Sequence, residues 1–530
     1  MSDRAAELDA FLRSADPWSP LAALASTWDD ELARACDERL ATEGDRARRW
    51  VLLSLIRQAA SPSAAALLLT RVSDARGDDL RDLLNALTSK RVVAPTEVIL
   101  RAFDEAEGAA LGAAALSRAD ALVPPLLARL ESARPIVCWQ AALALARAGR
   151  PEYGPAIVRL LDDARGHDAL GFAVALETLG DPAVVPALHA MVVRGQSPHR
   201  QAVHHALVRL SGRAPVVPFA TDAAAADRAL AAAWRTYDLA APPHPRLDDI
   251  ALADRCATFT LHDGAAALRL DANPPEPGSH WPRWDRALWA GDRALWNASS
   301  WCDTCETTLR QVGAAPELAR SIAEPLRAHL ADLRALDAAT LAMLAPLIHT
   351  LASGHYLAAL VDLDVEQVVE PLRSWMVRRV RAREAASPES DETARTGAPA
   401  LDPADWPGAP HFQIRAASAG PPRTYGILVP TQPLDALDTA TLDRHAAARA
   451  TGARPTAVAL TWVEDRHPHS GDTERTLVAA IIDGHHKLAA AARDGASARL
   501  LVLARIEDSA TTFGHPDGAL REALAALETA

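Results

Sequence analysis

The chain has 530 residues, a formal net charge of −13, and 49% hydrophobic but only 5% aromatic residues. That length gives about three domains with ample core and the aromatic-poor, alanine- and leucine-rich composition favours helical packing, while the acidic balance disfavours non-specific nucleic-acid binding. Five scattered cysteines argue against a disulfide framework, and with no basic-then-apolar leader and no run of about 18 apolar residues a cytoplasmic protein without a membrane span is expected.

Residues 1–60 read as a helical N-terminal cap, with apolar clusters such as Leu21-Ala22-Ala23-Leu24 and Trp50-Val51-Leu52-Leu53 and no motif that carries chemistry. A repeat follows over 61–220. Leu145-Ala146-Arg147-Ala148-Gly149-Arg150-Pro151 stands 31 positions before Leu176-Glu177-Thr178-Leu179-Gly180-Asp181-Pro182, and Pro124, Pro155, Pro186 and Pro218 keep nearly the same step. Each unit reads as a helix, a Gly/Asp/Pro turn and a second helix. One such pair cannot bury its apolar stripe alone, whereas stacked pairs share a continuous core. The pattern resembles short HEAT-like repeats, an α-solenoid that would present a surface to a protein partner.

Residues 221–384 change texture. After a helix over 223–237 and the break Pro242-Pro243-His244-Pro245, the runs 256–261 and 265–270 flank His262-Asp263-Gly264, which predicts a β-hairpin. Trp281, Trp284, Trp289, Trp296 and Trp301 crowd ahead of Trp301-Cys302-Asp303-Thr304-Cys305. Cys302 and Cys305 leave three readings open: a redox pair, a zinc half-site completed by histidines such as His280 or His355, or two buried structural thiols. Helices are expected over 316–334, 338–351 and 365–383, with no strands. The proline-rich 385–410 reads as a linker, so 411–530 is expected to stand as a domain of its own.

That last domain reads as a strand (426–429), a helix (439–450, capped by Asp438), a strand (456–463), a charged loop with His467 and His469, a strand (476–482), a polar turn, a helix (485–493), a strand (499–506) and a tail helix (517–528). The turn is Asp483-Gly484-His485-His486-Lys487. Where a strand meets a helix start, free N–H groups and the positive end of the helix dipole favour a phosphate or carboxylate. Of the 55 basic residues only Lys90 and Lys487 are lysines. A lysine in this turn therefore suggests a need for a compact ammonium.

This element order, with the Asp-Gly-His-His-Lys turn, resembles the ParB/sulfiredoxin superfamily over roughly 425–507. The resemblance implies an α/β domain binding nucleotide phosphates at the turn. Within the superfamily, turns of the type Asp-Gly-His-His-Arg resemble those of free amino-acid kinases. The resemblance makes Asp483 the candidate catalytic base and Gly484, His485, His486 and Lys487 the phosphate- and nucleotide-binding residues. His485 stands where sulfiredoxins carry their cysteine, which disfavours sulfinic acid reduction. The region 411–530 has 12 Lys+Arg against 14 Asp+Glu and no helix-turn-helix follows, which disfavours a DNA clamp.

The expected architecture is multidomain and mainly α: a HEAT-like α-solenoid, a mixed Trp/Cys-rich region with helices, and a C-terminal α/β ParB/sulfiredoxin-like domain. Two functions stay open. One is a nucleotide-dependent phosphotransferase or nucleotidase using a nucleoside di- or triphosphate with Mg. The other is a non-catalytic scaffold binding a protein partner through the solenoid. Zinc at Cys302 and Cys305, or a transition metal held by His467, His469, His485 and His486, would add a metal site.

Overall fold

In the computed structural model the chain is described over residues 3–14, 21–164, 167–194, 197–218, 223–253, 255–272, 286–291, 293–299, 307–311, 313, 326, 329–368, 375–379, 410–415, 422–466, 473–509, 511 and 515–528. Among these, fifteen α-helices run from Asp3–Leu12 to Ala223–Thr236 before the first strand. They pack on helices one and two places along the chain. The helices Pro135–Arg147 and His167–Leu179 pack together, and the first of them buries every residue from Val137 to Ala146. This explains why these segments read as apolar all round: helices enclosed on every side need no polar face. One core runs through the array from Leu8 to Trp234.

The repeat has a structural counterpart. Gly149, Gly180 and Gly212 all have φ near +70°, and each follows a helix end. Pro151 and Pro182 then open short 3-10 turns that lead into the helices Gly154–Asp163 and Val185–Arg194. The left-handed conformation that closes a helix suits glycine, and a proline just beyond cannot continue it.

Among the described residues thirteen strands follow: β1 (Arg246–Ala253), β2 (Cys256–Ala265), β3 (Leu268–Ala272), β4 (Arg286–Ala290), β5 (Arg293–Ser299), β6 (Thr307–Gln311), β7 (Ala352–Val368), β8 (Trp375–Arg379), β9 (His411–Ile414), β10 (Arg423–Pro430), β11 (Thr456–Arg466), β12 (Glu474–Asp483) and β13 (Ser497–Arg505). The larger sheet has the order β1-β2-β7-β13-β11-β12-β10-β9, and the smaller β3-β4-β5-β6-β8. The far end of β7 also pairs with β9, through Val365↔Ile414 to Val368↔His411. Six strands therefore close into a ring. The sheet also crosses the linker, because β1, β2 and β7 precede it and β9 to β13 follow it.

Two expectations are corrected here. The runs around Asp263-Gly264 do not form a hairpin, since β2 continues through Ala265 while β3 belongs to the smaller sheet. The antiparallel partner of β2 is β1. Gly264 packs so closely on Leu351 that a Cβ would lie 2.2 Å from its carbonyl oxygen. Asp263, at φ +51°, accepts hydrogen bonds from Tyr237 Oη, the His244 N–H and Arg213, tying the helical half to the sheet.

The second correction concerns the helix expected over 365–383, whose described residues, 365–368 and 375–379, instead form the end of β7 and β8. Those residues are held by long-range pairing, Val365↔Ile414 to Val368↔His411 with β9 and Thr307↔Trp375 to Gln311↔Arg379 between β6 and β8, which no local pattern encodes. The earlier part of β7 is buried on both faces, with Leu357, Ala359, Val361 and Leu363 in one core and Tyr356, Ala358 and Leu360 in the other, and so lacks the polar alternation that marks a strand. The expected helix over 338–351 is present as Ala338–Ile348, and that over 316–334 lies mostly outside the described residues.

Both faces of the larger sheet are covered. Val478, Ala480 and Ile482 pack with the helix Ala338–Ile348 and with Leu270, Leu288 and Trp296 of the smaller sheet. Leu477, Ala479 and Ile481 pack with the helices His485–Asp494 and Pro516–Leu527. This makes 476–482 a continuous apolar run, and it places the Asp483 turn at the end of a rigid, fully buried strand.

Candidate functional site

The turn sits where several chain ends converge. β10 and β12 are parallel neighbours, so the loop after Pro430 and the turn after Asp483 leave the sheet at one end. β11 runs antiparallel to β12, which brings its first residues, Thr456 and Ala457, to the same place. Gly484 adopts φ +97°, and a Cβ there would lie 2.6 Å from Ala457 Cβ and 2.7 Å from its Cα. Only glycine satisfies both the left-handed backbone and the close approach. The helix His485–Asp494 starts directly after it, without a side-chain cap.

The polar side chains of the turn differ in what they hold. His485 is 2% exposed, and its Nε2 accepts the Thr431 N–H at 3.1 Å. Burial pulls its pKa down to about 3, so the ring is neutral with its proton on Nδ1. Thr431 in turn donates from Oγ1 to the Ile481 carbonyl at 2.6 Å. His486 Nε2 accepts the Asp438 N–H at 3.1 Å, and burial again lowers its pKa. Asp438 caps the helix Thr439–Ala450 by accepting from the Thr441 N–H and Oγ1.

Lys487 Nζ donates to Asp483 Oδ2 at 2.8 Å and to the Thr456 carbonyl at 2.7 Å. Lys90, the other lysine, donates to the carbonyls of Arg57 and Ala59 at the end of the helix Arg46–Gln58, and burial pulls its pKa down to about 8. In each case a compact ammonium sits on backbone carbonyls. This placement is shared with arginines of the chain, as where Arg101 Nη2 donates to the carbonyls of Val72, Ser73 and Ala75, so the lysine in the turn is not explained by its carbonyl contact alone.

The structure brings Asp483, Gly484, His486 and Lys487 to one edge and puts His485 behind them as a buried strut. One residue had no signal in the sequence. His445, on the helix Thr439–Ala450, is half-buried within Coulombic range of Lys487, His486 and Asp483, and burial with the Lys487 charge lowers its pKa to about 4. That helix is fastened to His485–Asp494 at its other end too, where Arg449 donates to the Ala490 carbonyl and pairs with Asp494. A lone histidine seven positions after a capping aspartate has no periodicity that would single it out.

The remaining sequence candidates are elsewhere. Cys302, Cys305, His467 and His469 lie outside the described residues. Among the described residues no group of three or more His, Cys, Asp or Glu side chains is placed to hold a metal ion, and no helix is long and apolar enough to cross a membrane. Trp296 donates from Nε1 to the Pro430 carbonyl at 2.8 Å, so a tryptophan of the cluster packs behind the site. No protein-family model matches the chain, and no curated protein matches it either.

Proposed function

We propose that the chain is a helical-repeat protein whose C-terminal sheet carries a phosphate-binding turn, and that it transfers a phosphoryl group from a nucleotide to a hydroxyl acceptor or to water. The observation that carries this reading is an opposite-charge pair, Lys487 and Asp483, beside an uncapped helix start. The leading N–H groups of His485, His486 and Lys487 have no hydrogen-bond partner among the described residues, and such groups suit phosphate oxygens.

Phosphoryl transfer asks mainly for positioning and charge neutralisation. Lys487 supplies a cation that exchanges its Asp483 contact for a phosphate oxygen. Asp483, thereby released, takes the proton of the acceptor hydroxyl as the new O–P bond forms and the bond to the nucleotide's bridging oxygen breaks. Asp483 is the one carboxylate within the turn. It suits a magnesium ion held chiefly by nucleotide phosphates and water, which would neutralise charge there. We further propose that the helices form a HEAT-like solenoid that receives a protein partner, a reading supported by their packing one and two places apart and by the glycine step.

A second reading is favoured by the internal contacts. The imidazoles of His485 and His486 hold backbone N–H groups and Lys487 holds a carbonyl, as they would in a purely structural turn of a scaffold. Formation of ADP from Mg–ATP and of AMP from Mg–ADP, with and without hydroxyl amino acids, distinguishes the two. Turnover by the wild type that falls at least 100-fold in Asp483→Asn, with melting temperature unchanged, is the expected result. Equal turnover in both proteins would remove Asp483 from the chemistry.

A further inference from the structure

The most exposed tryptophan among the described residues stands on the helix Arg46–Gln58. Trp50 is 46% exposed, whereas the other described tryptophans are buried or half-buried. Further along its helix every residue from Val51 to Ile56 is buried. Arg57 lies seven positions on, with Cζ 5.9 Å from the centre of the Trp50 ring. Arg46, Trp50 and Arg57 fall within about 40° of one another around a helix of 3.6 residues per turn, so they form one stripe. Lys90 closes it, since its Nζ donates to the carbonyls of Arg57 and Ala59.

The charges of this stripe run against the helix that carries them. Arg46, Arg48 and Arg49 fill a first turn that has no acidic residue, and cations are disfavoured at the positive end of the helix dipole. Asp45 caps that end by accepting the Arg48 N–H. Other acids beside it are engaged: Asp79 by Arg49, Asp78 and Asp82 by Arg81, and Glu43 by Arg39. Arg46, Arg48 and Arg57 have no carboxylate partner among the described residues. Burial lowers the Arg57 pKa, with no acid to offset it. In a chain of net charge −13, cations left over around an exposed indole form an arrangement that an external anion completes.

We propose that this stripe docks an acidic polypeptide segment, with carboxylates on Arg46 and on Arg57 and Lys90 and an apolar side chain laid on Trp50. This deepens the proposal that the helical array receives a protein partner, and rests on it. From Arg46 to Arg57 the helix rises about 17 Å, a span of about five extended residues. Tryptophan and arginine are among the residue types that carry most of the binding energy at protein interfaces. A single-stranded nucleic acid fits less well, because it asks for several stacking aromatics along a basic groove and the chain is acidic overall.

The probe is a fluorescein-labelled peptide of glutamates and aspartates around a central Leu-Phe pair, titrated by anisotropy into the full chain at low salt. A peptide with lysine in place of each acid and a thymine oligonucleotide are the comparisons. The acidic peptide is expected to bind best and to weaken as salt is raised. Trp50→Ala and Arg46→Glu are each expected to lose at least ten-fold in affinity, and Arg159→Glu, at an exposed position of the helix Gly154–Asp163, to bind like the wild type. Arg46→Glu puts an acid at the helix start, where the dipole favours it, so its loss does not come from unfolding. A benzophenone in place of the peptide's phenylalanine locates the bound peptide by cross-linking. Equal binding by all variants, with cross-links on other helices, would overturn this stripe and leave the array's partner role standing. Cross-links confined to residues 411–528 would overturn both. No peptide binding by the wild type, or tighter binding of the oligonucleotide, would overturn an acidic polypeptide as the occupant.

Discussion

Gly484→Val is expected to destabilise the chain by about 4 kcal/mol, from left-handed backbone strain and overpacking together. The valine Cβ would sit 2.6 Å from Ala457 Cβ and 2.7 Å from Ala457 Cα, and neither strand can retreat because β11 is buried between β12 and β13. Lys487 Cδ, at 3.3 Å from the same point, would be pushed off the Thr456 carbonyl, so ligand binding should fail along with stability. Gly452→Ala is the control. Gly452 has φ +86° and an added methyl group would meet nothing within 4 Å, so it isolates the backbone strain, about 1 kcal/mol. Denaturant midpoints of the two variants give the comparison directly. Equal shifts would mean that the close approach to Ala457 contributes nothing.

Asp465→Ala should cost about 3–5 kcal/mol, because it takes the buried counter-charge from Arg475. Arg475 and Asp465 face each other across the β11–β12 pair, with Nε to Oδ1 at 2.8 Å and Nη2 to Oδ2 at 3.1 Å. Their side chains are 2% and 0% exposed. Glu522, from the tail helix Pro516–Leu527, adds a contact at 2.7 Å, but its side chain is 74% exposed and water screens it. Glu522→Gln is therefore expected to cost at most about 1 kcal/mol. Replacing Asp465 and Arg475 together by apolar residues of similar volume should recover most of the loss, since the desolvation of both ions disappears. A chemical denaturation series of these variants checks the order. A loss for Glu522→Gln as large as that for Asp465→Ala would show that the tail helix, rather than the buried pair, carries the effect.

How much of this was legible in the sequence depended on how each segment is buried. The order of the elements from β10 to the tail helix was legible, with ends displaced by up to three residues, because glycines, an aspartate cap and a charged loop separate them. The glycine step of the helical array was legible for the same reason: a left-handed helix end needs a residue type that sequence displays. β7 was not legible, because most of it is buried on both faces and lacks the alternation of a strand, while its end, expected as a helix, is held by pairing with β9. Its place in the larger sheet, across the linker from β13, is a long-range pairing that no local pattern encodes. In the turn, the sequence identified Asp483, Gly484 and Lys487 as neighbours of a helix start but could not separate the histidines. His485 and His486 are adjacent letters, yet one is a buried strut on Thr431 and the other fastens the Asp438 cap.

Phosphate binding by the Asp483–Lys487 turn is tested most directly by isothermal calorimetry with ATP, ADP, CTP and GTP in the presence of magnesium, on the wild type, Lys487→Ala and Asp483→Asn. At least one nucleotide is expected to bind the wild type, and Lys487→Ala to lose at least ten-fold in affinity. Asp483→Asn is expected to bind as tightly or more so, because the Lys487 ammonium is no longer neutralised. Wild-type protein that binds none of the four, or affinities indifferent to Lys487, would contradict a phosphate site at this turn.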